Sequence, residues 1–257
     1  MERIQSPEGV SVSFDHYGSG PPLVLVHGGF SDHDSNWGLV RPLLETRFHV
    51  YAIARRGRGE TDATEGHRLE DEARDVAAVV RAVGEPAFLL GHSYGALTAL
   101  EAASRAAEHV RKLVLYEPPR PGRLREILPP LERRAEAGDW EGFAAAFFRD
   151  ALTVPAEELE ALRRSPLWPP IVADARASLG DLRALDRYRF EPERFRALPM
   201  PVLLQIGTAS PRHHYVTDAL AAVLPDVRIG ELAGQAHEGM TTAPAIYAEA
   251  VSRFLLG

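Results

Sequence analysis

The chain contains no cysteine, which removes disulfides, thiolate nucleophiles and Cys-ligated zinc or iron–sulfur centres together. Lysine is nearly absent too: of 29 basic residues only Lys112 is a lysine, a compositional bias to which no function is attached. No block of Lys and Arg stands out, and 36 acidic residues give a formal charge of -7. A phosphate backbone would be repelled, so nucleic acid is not expected as a partner. No stretch approaches the ~18 consecutive apolar residues of a membrane span, and Met1–Gly9 carries charge and a proline where a signal peptide has an apolar core. A cytoplasmic protein without a membrane partner is expected. What is present is an ordinary globular balance, 45% hydrophobic and 25% charged over 257 residues, enough for one sizeable core with an insertion.

From Val10 to His92 short β-rich runs alternate with helical periodicity. Val10–Tyr17 alternates apolar and polar residues, whereas Leu23–Val26, Phe48–Ile53 and Ala87–Leu90 are almost wholly apolar, as strands buried on both faces are. Leu69, Ala73, Val76, Val80 and Val83 recur at helical spacing between them. The rhythm continues at Leu113–Tyr116, resumes at Val202–Ile206 and Val227–Leu232, and ends in a helix through Val251 and Phe254. The pattern predicts an α/β fold with a mostly parallel central sheet covered by helices on both faces.

The stretch between the last two groups differs. Pro118 to Pro201 holds 12 of the 20 prolines and 8 of the 20 aromatics, reads as helices near Leu124–Ala137, Trp140–Ala151, Ala156–Arg164 and Ile171–Leu185, and contains no strand-like run. Its 14 acidic and 14 basic residues up to Pro199 balance, so the net negative charge lies in the flanking parts. Two units are expected: an α/β core of residues 1–117 and 200–257, and an all-helical lid of residues 118–199. Trp140, Phe143, Phe147, Phe148 and Trp168 supply its apolar face; a solvated helical excursion without a role is the rival reading.

The sharpest chemical signal is Gly91-His92-Ser93-Tyr94-Gly95, directly after a buried strand and before a helical run. A serine on a tight strand-to-helix turn needs small neighbours, and the turn exposes its hydroxyl at a helix N-terminus that favours negative charge. His27-Gly28-Gly29-Phe30 follows the strand Leu23–Val26, so the Phe30 and Tyr94 N–H groups are expected to form an oxyanion hole. The hydroxyl needs a base. Of ten histidines, His237 in the loop Gly234-Gln235-Ala236-His237 stands where the order nucleophile, acid, histidine requires; His92 should project away from Ser93, and His27 should shape the oxyanion loop. His213-His214 lack further ligands at a recognisable spacing, so no metal site is read and both are taken as surface helix residues. The turn Gly207–Pro211 has no aspartate. Glu117, at the carboxyl end of Leu113–Tyr116, is therefore the expected acid, ahead of Asp218 and Glu238.

These motifs resemble the α/β-hydrolase superfamily over nearly the whole chain: the HGGF loop, the Tyr51–Gly59 run with Arg-Arg-Gly-Arg-Gly, the GHSYG elbow, Tyr116–Pro119, Gly207–Pro211 and the GQAH loop. More narrowly the chain is similar to cofactor-free bacterial serine hydrolases with a helical cap inserted after the strand bearing Glu117. The resemblance implies nucleophile Ser93, base His237, oxyanion donors Phe30 and Tyr94, and no cofactor. In some branches, haloalkane dehalogenases among them, it puts the acid at the strand before the cap. Ala54 stands where similar sequences often carry an acid, and Ser210 where many carry the triad aspartate. The expected activity is hydrolysis of a carboxylic ester, thioester or lactone, on a small to medium, largely apolar substrate bound by Gly29, Trp37, Trp140, Phe147 and Trp168, with Asp32, His33 and Tyr94 at the rim. The rivals are a cofactor-free lyase or perhydrolase and a silent ligand-binding member of the fold. A monomer or homodimer is expected.

Overall fold

A computed structural model describes residues 1–257. Eight strands, β1 (Glu2–Gln5), β2 (Ser11–Tyr17), β3 (Pro22–Val26), β4 (His49–Ile53), β5 (Ala87–His92), β6 (Val110–Tyr116), β7 (Val202–Gly207) and β8 (Val227–Leu232), form one sheet in the order 1-2-4-3-5-6-7-8. β1 and β2 pair antiparallel, as do β2 and β4; every pair from β4 to β8 is parallel. The helices are α1 (Arg41–Leu44), α2 (Leu69–Ala82), α3 (Tyr94–Arg105), α4 (Leu128–Glu136), α5 (Trp140–Asp150), α6 (Ala156–Arg163), α7 (Trp168–Arg187), α8 (Thr217–Ala221), α9 (Gly239–Thr242) and α10 (Pro244–Leu256).

The apolar strands are apolar because they serve two cores. Leu23 and Leu25 of β3 join Leu44, Tyr247 and Val251 on the α1/α10 face, while Val24 and Val26 join Val76, Leu97 and Leu100 on the α2/α3 face. A one-residue slip of β3 would exchange these sets. Parallel strands also leave the sheet in one direction, so the loops after β3, β5, β6, β7 and β8 gather along its carboxyl edge, where ligand sites of open α/β sheets lie.

Between β6 and β7 the chain makes α4 to α7 and no strand. The expected helices appear, those at Trp140 and Ala156 from the expected residue and the other two with shifted starts. α7 begins at Trp168, because Pro169-Pro170 occupy the first turn, where an N–H is not needed. The run expected from Leu124 divides into a short 3-10 turn, Arg123–Arg125, and α4, with Pro129-Pro130 in the first turn of the latter. β1 and α1 are too short to leave a periodic signal. α7 packs against α4 and α5 and also reaches α2 of the core. No helix is long and apolar enough to cross a membrane.

Candidate active site

Ser93 joins β5 to α3 with φ 55° and ψ -125°, a conformation that costs a non-glycine residue about 1–3 kcal/mol. Close approach explains its glycine neighbours: a Cβ on Gly91 would lie 2.4 Å from the Gly95 oxygen, and one on Gly95 only 2.3 Å from the His27 oxygen. The Ser93 hydroxyl stands 2.9 Å from His237 Nε2, and His237 Nδ1 lies 2.7 Å from Glu117 Oε2. These partners fix the tautomer: Nδ1–H donates to the carboxylate, and Nε2 accepts from the hydroxyl.

Two side chains brace the His237 loop from below. His92 Nε2–H donates to the His237 carbonyl at 3.0 Å, and the Tyr116 hydroxyl donates to the Ala236 carbonyl. Burial, followed by the neighbouring His237 charge, pulls His92 well below the ordinary imidazole range, so it acts as a neutral donor to the His237 carbonyl. Glu117 has a positive φ of 50°. The Gly207 N–H donates to Glu117 Oε1 at 2.8 Å, and Gly207 has no room for a side chain, since a Cβ would lie 2.2 Å from the Gln235 oxygen. Burial pushes Glu117 up, but the hydrogen bond and charge of His237 outweigh it and hold the carboxyl below its usual range. His237 answers in the opposite sense: burial lowers it, and Glu117 raises it above the ordinary value. Where Ser210 offers no acid, the carboxylate that meets His237 comes from one strand inward. Tyr215, which sequence reading missed, stacks on His237 at 5.7 Å between ring centroids and brings its hydroxyl 3.2 Å from Nδ1.

The oxyanion loop departs from expectation. The Phe30 N–H donates to Ser178 Oγ of α7 at 2.6 Å and so is already taken. Gly29 N–H and Tyr94 N–H have no protein acceptor, and both residues line the cavity with Ser93. Gly29, expected only as a binding residue, is the free donor on this loop. Phe30 turns its ring onto Phe147, with centroids 4.4 Å apart.

Behind the loop lies a buried ionic joint. Arg55 uses every donor it has: Nε to the His27 carbonyl at 2.9 Å, Nη1 to Glu72 at 2.8 Å and Asp181 at 3.1 Å, Nη2 to the Gly28 carbonyl at 2.8 Å and Asp181 at 2.7 Å. Arg58 binds Asp174 and Asp181, and Arg56 binds Asp75. The acid absent at Ala54 is replaced by carboxylates from α2 and α7. His27 accepts the Arg55 N–H at Nε2, 3.1 Å away, and donates from Nδ1 to the Gly28 carbonyl at 2.8 Å; burial and then the charges of Arg55 and Arg58 keep it neutral. Ser178 donates to Asp174 at 2.7 Å, linking the joint to Phe30.

Gly29, Phe30, Ser93, Tyr94, Phe147 and His237 line one cavity. Trp37 does not reach it: fully buried, it packs with Leu44, Phe48 and Tyr247 on the other face of the sheet. Trp140 and Trp168 are also outside, the first against Phe143 and the Arg176 guanidinium, the second against Phe148. Asp32 caps its own turn through Asp34 and Ser35 N–H groups, and His33 pairs with Asp15 at 3.3 Å. The Tyr94 hydroxyl points into the joint and donates to Glu72 at 2.9 Å. His214 is no surface residue; it is buried and lines the cavity.

A serine on a strand-to-helix elbow, hydrogen-bonded through an imidazole to a strand-end carboxylate over a mostly parallel sheet, is the architecture of an α/β-hydrolase. The sequence signature of the Alpha/beta hydrolase family matches residues 23–250, and the chain belongs to that family. It is 28% identical to 2-(acetamidomethylene)succinate hydrolase of Mesorhizobium japonicum, covering 96% of this chain and 92% of that protein. Against N-formylmaleamate deformylase of Pseudomonas putida it is 27% identical, over 90% and 88% of the two chains. An α/β-hydrolase crystal structure from Sphaerobacter thermophilus superposes with a TM-score of 0.86 at 29% identity, over 99% of this chain and all of that one. The chain is an enzyme of the α/β-hydrolase type.

Proposed function

We propose that this hydrolase cleaves a carboxylic ester, thioester or lactone of a small to medium, largely apolar molecule through an acyl-enzyme on Ser93. The observation that carries the reading is the unbroken chain from the Ser93 hydroxyl through His237 to Glu117, at 2.9 and 2.7 Å. Ser93 Oγ attacks the carbonyl carbon as its proton passes to His237 Nε2. The Gly29 and Tyr94 N–H groups receive the charge that develops on the carbonyl oxygen, an interaction for which one donor is typically worth ~3 kcal/mol. His237 then gives its proton to the leaving oxygen or sulfur. Water, deprotonated by the same nitrogen, attacks the acyl carbon and frees Ser93. Glu117 keeps Nδ1 protonated and stabilises the imidazolium in both steps.

Residues 118–199 serve in this reading as a helical cap over a core of residues 1–117 and 200–257, with Phe147, Phe148 and Leu182 forming the apolar roof. The names of the Mesorhizobium and Pseudomonas relatives extend the same chemistry to a carbonyl–nitrogen bond, so amide analogues belong in the substrate set. Turnover of p-nitrophenyl esters with short acyl chains, abolished in Ser93→Ala, is the expected result. C–C cleavage with no hydrolytic rate would favour a lyase instead, and failure of a fluorophosphonate to label Ser93 would favour a silent binder.

A further inference from the structure

The cavity that holds Ser93 is apolar along Phe147, Phe148, Leu152, Leu182 and Leu185, but it also exposes Arg120 and Arg123. Both arginines open the segment after β6, and neither has a carboxylate partner. Arg120 is fixed in place: its backbone N–H donates to the His214 carbonyl at 2.8 Å, its Nε to the His213 carbonyl at 3.1 Å and its Nη2 to the Tyr215 carbonyl at 3.2 Å. Arg123 has a single long contact, Nη1 to the Ala151 carbonyl at 3.4 Å, and keeps its other donors free. This contrasts with the joint, where Arg55 and Arg58 consume Asp181, an acid that also lines the cavity. The remaining lining carboxylate, Glu238, sits beside the ring nitrogens of His92 and His237, all within 4.8 Å of one another, and pairs with neither arginine.

A half-buried guanidinium and an exposed one at the same cavity wall, with no counter-charge, create a local positive field that attracts an anion. Their mutual influence is direct: burial and the charge of Arg120 both lower Arg123. Arg123 also acts on His214, which burial first and then Arg123 push down to about 4. His214 therefore stands neutral on the same wall and adds no charge of its own.

We infer that Arg123, with Arg120, is a carboxylate-binding subsite, and that the substrate is an acyl compound carrying a free carboxylate away from its scissile bond. A planar guanidinium fork matches a carboxylate in shape and charge. The inference deepens the proposed function and rests on it for the identity of the scissile bond, but anion binding itself can be measured without turnover.

Two measurements test it. In Ser93→Ala, glutarate binding followed by calorimetry is expected to weaken roughly 10- to 100-fold on adding Arg123→Gln, the usual range for loss of a charged hydrogen-bond partner. In the otherwise native enzyme, the ratio of kcat/KM for a glutarate monoester to that for a neutral ester of equal length should exceed about ten, and should fall towards one in Arg123→Gln and Arg120→Gln while Arg123→Lys keeps part of it. Equal losses for both esters, or glutarate binding indifferent to Arg123, would overturn the subsite while leaving the serine hydrolase intact. Tight inorganic phosphate with no glutarate binding would overturn the carboxylate assignment in favour of a phosphorylated ligand. Absent ester turnover together with Arg123-dependent glutarate binding would sink the hydrolytic reading and retain the subsite.

Discussion

His237 and His67 each meet a buried carboxylate at short range, His237 Nδ1 at 2.7 Å from Glu117 and His67 Nε2 at 3.0 Å from Glu72. Their surroundings set them different tasks. His67 also has Asp181 at 3.9 Å. Burial lowers its pKa, but the two carboxylates together drive it up to about 10, so it is a permanent cation that cannot accept a proton at neutral pH. His237 has one such partner, and its other nitrogen faces a hydroxyl over an open cavity. One carboxylate and a free Nε2 make a base; two carboxylates and no nucleophile make a structural charge. The comparison also separates two kinds of arginine, the buried ones saturated by Asp174, Asp181 and Glu72, and the two at the cavity wall without a carboxylate partner, the exposed Arg120 and the half-buried Arg123.

The two clusters should therefore fail differently. Glu117→Gln puts an amide against His237 Nδ1 and destroys the tautomer that accepts the serine proton, while the amide oxygen can still receive the Gly207 N–H. The expected loss is roughly 10⁴-fold in kcat, with a melting temperature close to that of the parent. A large fall in melting temperature with little kinetic loss would make Glu117 a structural acid like Glu72. In the joint, Asp181→Asn strands Arg55 and Arg58 with too little counter-charge, and stability measured by urea unfolding should drop by about 3–5 kcal/mol. If the joint instead tolerates this change within about 0.5 kcal/mol, its ion pairs are not what fixes α7 to the core.

Ser178 lies where the two regions meet. It accepts the Phe30 N–H at 2.6 Å and donates to Asp174 at 2.7 Å, so α7 holds the loop whose next free donor is Gly29. Ser178→Ala leaves a buried N–H unpaired, at a cost of about 1–3 kcal/mol. We expect this as a decrease in kcat of about tenfold, equivalent to 1.4 kcal/mol, with KM little changed. An increase in KM alone would show that Ser178 shapes the pocket wall and not the oxyanion loop.

The difference between the regions also explains which was legible in the sequence. Ser93 and Glu117 directly follow strands and His237 lies in the loop after β8, and parallel strands all open on one edge, so local motifs sufficed to bring them together. The joint pairs Arg55 with Asp181 across 126 positions, and no local spacing announces such a partner. The same blindness affects side-chain direction. Trp37 follows the oxyanion loop closely in sequence, yet its chain has already turned towards the α1/α10 core. Trp140 and Phe147 lie on one helix, but only Phe147 meets the Phe30 ring. The occupied Phe30 N–H depends on α7, an element whose docking periodicity alone does not reveal.

A single pH series contrasts the two imidazoles at the smallest scale. In the proposed mechanism His237 is a base only when neutral, and its pKa is raised above the ordinary 6.5, so kcat/KM should rise with pH through an apparent pKa above 6.5 and then level off. His67 predicts the opposite trend in stability. Its folded-state pKa, about 10, exceeds the unfolded value of about 6.5, so the unfolded chain releases its proton first as pH rises. The stability from protonated His67 is complete below about pH 6.5 and declines towards pH 10, by no more than about 1.4 kcal/mol per pH unit. Unfolding free energies between pH 7 and 9, in the parent and in His67→Gln, isolate this slope, since the variant should lose it while retaining the activity limb set by His237. A parent and variant with the same slope would mean that His67 is neutral in the folded state, and the contrast between a base and a fixed charge would then lie in the arginines alone.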